Sequence, residues 1–144
     1  MELLIERAFD APPERVYRGF TDGAQLVEWI APDGFSVQPD SVDVDVSVGG
    51  HQRFTLVGAD GTPSSADVTY SAVVENELLA GEELVAAVPD GHDEFVRSFR
   101  VEFQDAGEQT RLVLRQGPFS VDAGAEARAN WESAFAKLDA LLAR

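Results

Sequence analysis

The stretch that most constrains this chain is its C-terminal end, residues 122–144. Ala127, Trp131, Ala134, Phe135, Leu138, Leu141 and Leu142 recur at steps of three and four. At 3.6 residues per turn they fall on one stripe roughly 120° wide, with Glu126, Arg128, Glu132, Lys137 and Asp139 off it. No proline interrupts, so the spacing predicts a single helix about 33 Å long, with Asp122 as its N-cap. A stripe carrying Trp, Phe and Leu needs a large apolar partner. The chain before it is mostly strand-like, which makes that partner a sheet.

The upstream pattern supplies one. Leu3, Ile5, Arg7 and Phe9 share one face of a first strand. Pro12-Pro13 then opens a short helix carrying Val16, Tyr17 and Phe20. Asp22 and Gln25 are spaced as a capping box for a second short helix holding Leu26, Trp29 and Ile30, which Pro32-Asp-Gly ends. From Phe35 the period becomes two. Strands are predicted at 42–48, 52–56, 68–74, 82–88, 95–103 and 112–114, separated by clusters rich in Gly, Asp and Pro. Short connections between consecutive strands imply an antiparallel meander. The expectation is an α+β fold in one domain, residues 1–144. A seven-stranded sheet curls around the C-terminal helix, two short helices follow strand one, and a hollow lies between sheet and helix.

Composition excludes several classes. With no Cys there is no disulfide frame, thiolate metal site or Cys nucleophile. The formal net charge of −15 and the lack of a basic patch argue against nucleic acid and anionic membranes as partners. The first nine residues lack the basic and apolar regions of a signal peptide, and no stretch reaches membrane-spanning length, so a soluble, cytoplasmic protein is expected. Nothing in the chain points to monomer over homodimer.

The order of several short motifs carries a resemblance. Phe9-Asp-Ala-Pro-Pro-Glu-Arg-Val-Tyr, Phe20-Thr-Asp and Leu26-Val-Glu-Trp resemble the opening of the START/SRPBCC superfamily. Val44-Asp-Val-Ser-Val-Gly-Gly, Leu84-Val and Asn130-Trp-Glu-Ser-Ala-Phe-Ala-Lys-Leu are similar to one branch of it, named for the C-terminal domain of the heat-shock-protein-90 ATPase activator. The resemblance spans nearly the whole chain. It implies a helix-grip fold and, often, a ligand cavity. Ile30 stands where the family often has a second aromatic. The eukaryotic activators carry a further N-terminal domain that these residues do not contain, so the chaperone-activating role is not carried over.

No phosphate-binding, nucleophile-elbow or zinc-protease motif occurs. His51 and His92 have no second histidine nearby. Asp90-Gly-His-Asp reads as a hairpin turn, and Asp43 and Asp45 as the exposed side of a strand, so neither metal nor cofactor is expected. Trp29, Phe54, Tyr70, Phe99, Trp131 and Phe135 read as core or as the wall of a ligand cavity; for Trp131 the two weigh equally. Truncating Trp131 to alanine is expected to cost about 3–5 kcal/mol. The Tyr70 phenol, on an apolar face, needs a partner from protein or ligand. Arg97 lies in register with Phe95, Phe99 and Val101, and Arg7 has the same parity in strand one. Each either snorkels out or meets an acidic side chain, or anchors the polar end of a ligand. The favoured expectation is a module binding a small molecule with an apolar or aromatic body, an acidic one included, and with no catalytic residue. The alternatives are a cyclase- or hydrolase-like enzyme, which needs an acid/base pair in the hollow, and a chaperone-type interaction module.

Overall fold

The C-terminal stripe forms one 22-residue helix, α3 (Val121–Leu142). The structure, a computed structural model, describes residues 1–87 and 91–144. Ala134, Phe135, Leu138 and Leu141 are buried, with Ala127, Trp131 and Leu142 packed beside them. The cap is Ser120, whose hydroxyl accepts from the Ala123 N–H at 3.2 Å, and not Asp122, which lies exposed in the first turn. Serine two residues earlier fits the same cap geometry and adds half a turn to the helix.

Before α3 come β1 (Leu3–Phe9), α1 (Pro13–Thr21), α2 (Gly23–Trp29), β2 (Phe35–Val37), a single 3-10 turn (Pro39–Ser41), β3 (Asp43–Asp45), β4 (His51–Gly58), β5 (Pro63–Val74), β6 (Leu78–Val85), β7 (Phe95–Ala106) and β8 (Gln109–Gly117). One antiparallel sheet runs β1-β8-β7-β6-β5-β4-β2, and β3 also pairs with β4. It curls around α3, with α1 and α2 packed at one end. The α+β helix-grip expectation holds.

Asp22 joins the two short helices. Its N–H donates to Arg18 O at 2.9 Å and ends α1, while its carboxylate accepts from the Ala24 N–H at 3.0 Å and starts α2.

The described strands number eight, not seven, the added one being β2, and the pattern departs from expectation at two places. The valine-aspartate alternation over 42–48 yields only β3. The Ser47 hydroxyl donates to the Asp45 carboxylate and its N–H to Asp45 O, which folds the chain into a turn. Gly50 completes the turn, where a Cβ would sit 2.2 Å from Asp45 O. Upstream, β2 pairs with the other half of β4. Pro39 cannot donate to a ladder, so the chain leaves the sheet between β2 and β3. Gln38 N–H donates to Thr55 O at 3.0 Å, and the Ser41 hydroxyl accepts from the Thr55 N–H at 2.8 Å. A side chain thus completes the ladder that the proline breaks.

The second departure lies between β5 and β6. Pairing is regular up to Tyr70↔Gly81 and resumes at Ala72↔Ala80, leaving Ser71 as a bulge. Beyond it the parity of β5 flips. Val73 packs toward the core and Val74 is exposed, the reverse of strict alternation from Val68. Gly81 allows the strands to close, since a Cβ there would sit 2.0 Å from Thr69 O. β6 thus begins at Leu78 rather than at 82. Val88, the end of the expected strand, and Pro89-Asp90 of the expected turn lie outside the described residues.

Candidate functional site

The concave face of the sheet is filled at one end and open at the other. At the filled end, Phe135 meets Phe9 at a centroid distance of 5.3 Å and Trp29 at 6.1 Å, and Trp29 meets Phe20 at 4.7 Å. At the open end a cleft of about 220 Å³ lies between α3 and strands β4 to β8. Phe54, Ala66 and Phe119 line one side, and Ala127, Trp131 and Ala134 of α3 the other. Ile30 and Pro32 form the lip. The lip is tied to α3: the Asp33 N–H donates to the Ser133 hydroxyl at 2.7 Å, and the Lys137 ammonium donates to Ala31 O at 2.6 Å.

One wall of this apolar cleft is polar and internally bonded. Register places Glu83 opposite Arg97, both inward. Arg97 Nη1 donates to Glu83 Oε1 at 3.4 Å and Nε donates to Pro118 O at 3.1 Å. The guanidinium lies 4.0 Å over the Phe119 ring and 5.0 Å over Phe95. Gln116 Nε2 donates to both oxygens of Glu83, at 3.2 and 3.3 Å, and its Oε1 accepts from the Trp131 indole at 2.9 Å. Carboxylate and indole together fix which end of the amide faces which partner. The Glu83 and Arg97 side chains are only 19% and 17% exposed. Asn130 lines the cleft, and its amide has no hydrogen-bond partner among the described residues.

The residues singled out from the sequence divide three ways. Phe54, Arg97 and Trp131 line the cleft. Phe99 stacks behind Trp131 at 6.3 Å, and Phe135 tilts against it at 5.5 Å, so both back the wall without lining it. Trp29 and Tyr70 are core. The Trp29 indole donates to Gly19 O at 2.8 Å, and the Tyr70 hydroxyl lies 3.4 Å from Gln52 Nε2. Burial pushes Tyr70 well above the ordinary phenol range, and neighbouring Tyr17 adds to the rise, against the Gln52 hydrogen bond.

Arg7 stands apart from the cleft. Its parity is inward, yet at the sheet edge its guanidinium reaches over the Phe9 ring to Asp139, at 3.0 and 2.5 Å. For Arg97 the structure shows the acidic-side-chain alternative, since Glu83 pairs with it. Glu83 is what sequence reasoning missed, because strict alternation through the Ser71 bulge and Gly81 misplaces it. The signal was the glycine two residues before it, in a strand whose partner parity changes.

Other depressions carry less chemistry. A wider one of about 840 Å³ opens beside Pro12, Asn76, Glu77 and Gln104; it is a surface saddle whose Arg100 is paired with Glu102 at 2.9 Å. Among the described residues no three His, Cys, Asp or Glu gather as metal ligands. Half-buried His51 lies 2.8 Å from Asp43, and His92 Nδ1 sits 2.9 Å from Asp93 O. No described helix is long and apolar enough to cross a membrane.

Comparison with known proteins agrees with this architecture. A crystal structure of a protein from Chromobacterium violaceum is 23% identical, with a TM-score of 0.83 over 99% of this chain and 97% of that one. The AHSA1 protein of Silicibacter pomeroyi gives the same identity and TM-score over 99% and 98%. A protein from Mycobacterium smegmatis, also 23% identical, gives 0.78 over 98% and 90%. These likenesses show the fold. No curated protein matches the sequence. Residues 10–143 match the family described as activator of Hsp90 ATPase homolog 1-like protein. The chain belongs to that family.

Proposed function

We propose that this member of the activator of Hsp90 ATPase homolog 1-like family binds a small molecule with an apolar or aromatic body in the cleft between α3 and the sheet. The observation that carries the reading is the contrast within one concave face. Aromatic rings fill one end, whereas the other leaves a space of about 220 Å³ whose apolar walls surround a single bonded polar network. An apolar cleft with a few converging polar groups is the usual form of a small-molecule site. Its volume is below the roughly 300–1,000 Å³ of drug-sized pockets, so the ligand is a body of one or two rings. The polar wall serves orientation, and the flat faces of Trp131 and Phe54 suit an aromatic body.

The test is a cleft-filling substitution. Ala127→Leu adds volume on the face of α3 that lines the cleft, at a half-buried position. With small aromatic probes followed by amide chemical shifts, the parent is expected to respond at Phe54, Ala66, Asn130 and Trp131. Ala127→Leu is expected to keep the fold and lose that response. Shifts confined to the outer surface, or retained unchanged in Ala127→Leu, would move binding elsewhere.

A further inference from the structure

Resting on the cleft reading, we infer that the site selects a neutral ligand whose polar head both donates and accepts hydrogen bonds, a primary amide or lactam, over a carboxylic acid or an amine. The Glu83–Arg97 pair is the selecting element.

The pair presents a donor and an acceptor side by side on one wall of the cleft. The one bond within the pair, Arg97 Nη1 to Glu83 Oε1 at 3.4 Å, is longer than the roughly 2.7–2.9 Å of well-made charge-assisted bonds, and the other bonds to Glu83 come from the neutral Gln116 amide at 3.2 and 3.3 Å. Glu83 therefore keeps acceptor capacity, and Arg97 has an Nη2 from which nothing among the described residues accepts. An amide satisfies both at once: its N–H donates to Glu83 and its carbonyl accepts from Arg97. Asn130, whose amide is unengaged among the described residues, offers a second neutral contact on the helix side.

Formal charge decides against the ions. Carboxylate and guanidinium already cancel, and both are mostly buried. An acid seated on Arg97 would bring a second anion beside Glu83, and an amine seated on Glu83 a second cation beside Arg97. Either leaves one buried charge without a partner, which is strongly disfavoured. The net charge of −15 further disfavours the approach of an acid. Isolated Arg97 suggests a carboxylate anchor; paired with Glu83 it suggests the opposite.

Three probes with one body test this: 1-naphthamide, 1-naphthoate and 1-naphthylmethylammonium, titrated at neutral pH and followed at the Trp131 indole N–H. The amide is expected to bind at least about tenfold tighter than either ion. Glu83→Gln should shift preference toward the naphthoate, and Arg97→Gln toward the ammonium. Thermal unfolding confirms that each variant is folded; should one fail to fold, the other carries the swap, and the parent's order of affinities stands alone as the minimum test. A parent that prefers the naphthoate, or an order unchanged in both variants, overturns the neutral-head inference and leaves the cleft reading intact. Failure of all three probes to move the Trp131 signal overturns both.

Discussion

Trp29 and Trp131 share a neighbour and differ in everything else. Both rings pack on Phe135, at 6.1 and 5.5 Å. Trp29 is 0% exposed, and its indole donates to a backbone carbonyl. Trp131 is half-buried, and its indole donates to Gln116, which holds Glu83, which holds Arg97. Phe135 is thus the partition between a sealed core and a cleft. A bond to backbone fixes a side chain to the fold, whereas a bond to a side-chain network leaves it answerable to whatever else that network binds. Aromatic type and helical spacing are the same for a core tryptophan and a site tryptophan; what its N–H meets tells them apart.

The largest expected difference is in stability. Trp29→Ala should lower it by about 3–5 kcal/mol, the range for a fully enclosed aromatic, while Trp131→Ala should cost about 2 kcal/mol because its ring already borders a cleft. Denaturant midpoints of the two variants decide; equal losses would erase the distinction between core and cleft. Next is the pair. Arg97→Met strands Glu83 on the cleft wall and should cost about 2 kcal/mol, reduced from the fully buried case by residual exposure. Adding Glu83→Met should restore most of it. A double variant no more stable than Arg97→Met would show that the two residues are not coupled.

The core side has its own signature at high pH. Tyr70 is raised in the folded state, so the native protein holds a proton that the unfolded chain releases near the ordinary phenol value of 10.0. Its contribution is fully present below that pH and is lost above it, at up to about 1.4 kcal/mol per pH unit for one proton. Tyr17, raised by burial and by the Glu75 charge, acts in the same direction. Tyr70→Phe should flatten the fall in unfolding temperature above pH 10.0; a slope as steep as the parent's would remove Tyr70 as its source. The smallest effect belongs to Arg7, whose guanidinium covers the Phe9 ring at the edge of the core and pairs with partly exposed Asp139, away from the cleft. Arg7→Ala should cost about 0.5 kcal/mol, fade in salt and leave cleft binding unchanged. A loss of binding would draw Arg7 into the site.

Regular periodicity made most of the fold readable. The α3 stripe and the inward face of β7, from Phe95 to Phe103, needed no correction, since each follows one period without interruption. Local chemistry hid the rest. Ser47 turned the chain out of a strand that valine alternation favoured, and the Ser71 bulge shifted the register so that Glu83 pairs with inward Val68 instead of outward Thr69. The candidate site was half legible for that reason. Phe54, Arg97 and Trp131 follow from regular alternation and helical spacing, but the carboxylate that changes the meaning of Arg97 lies one register shift away.

The most direct test uses the two tryptophans as paired reporters. Their indole N–H resonances are resolved by nitrogen-edited NMR and assigned with Trp29→Phe and Trp131→Phe, and the parent is titrated with 1-naphthamide. The account predicts a saturable shift of the Trp131 indole, with the Trp29 indole unmoved behind Phe135. A saturable shift of Trp29 with Trp131 unmoved, or no shift of either at saturating probe, would contradict it.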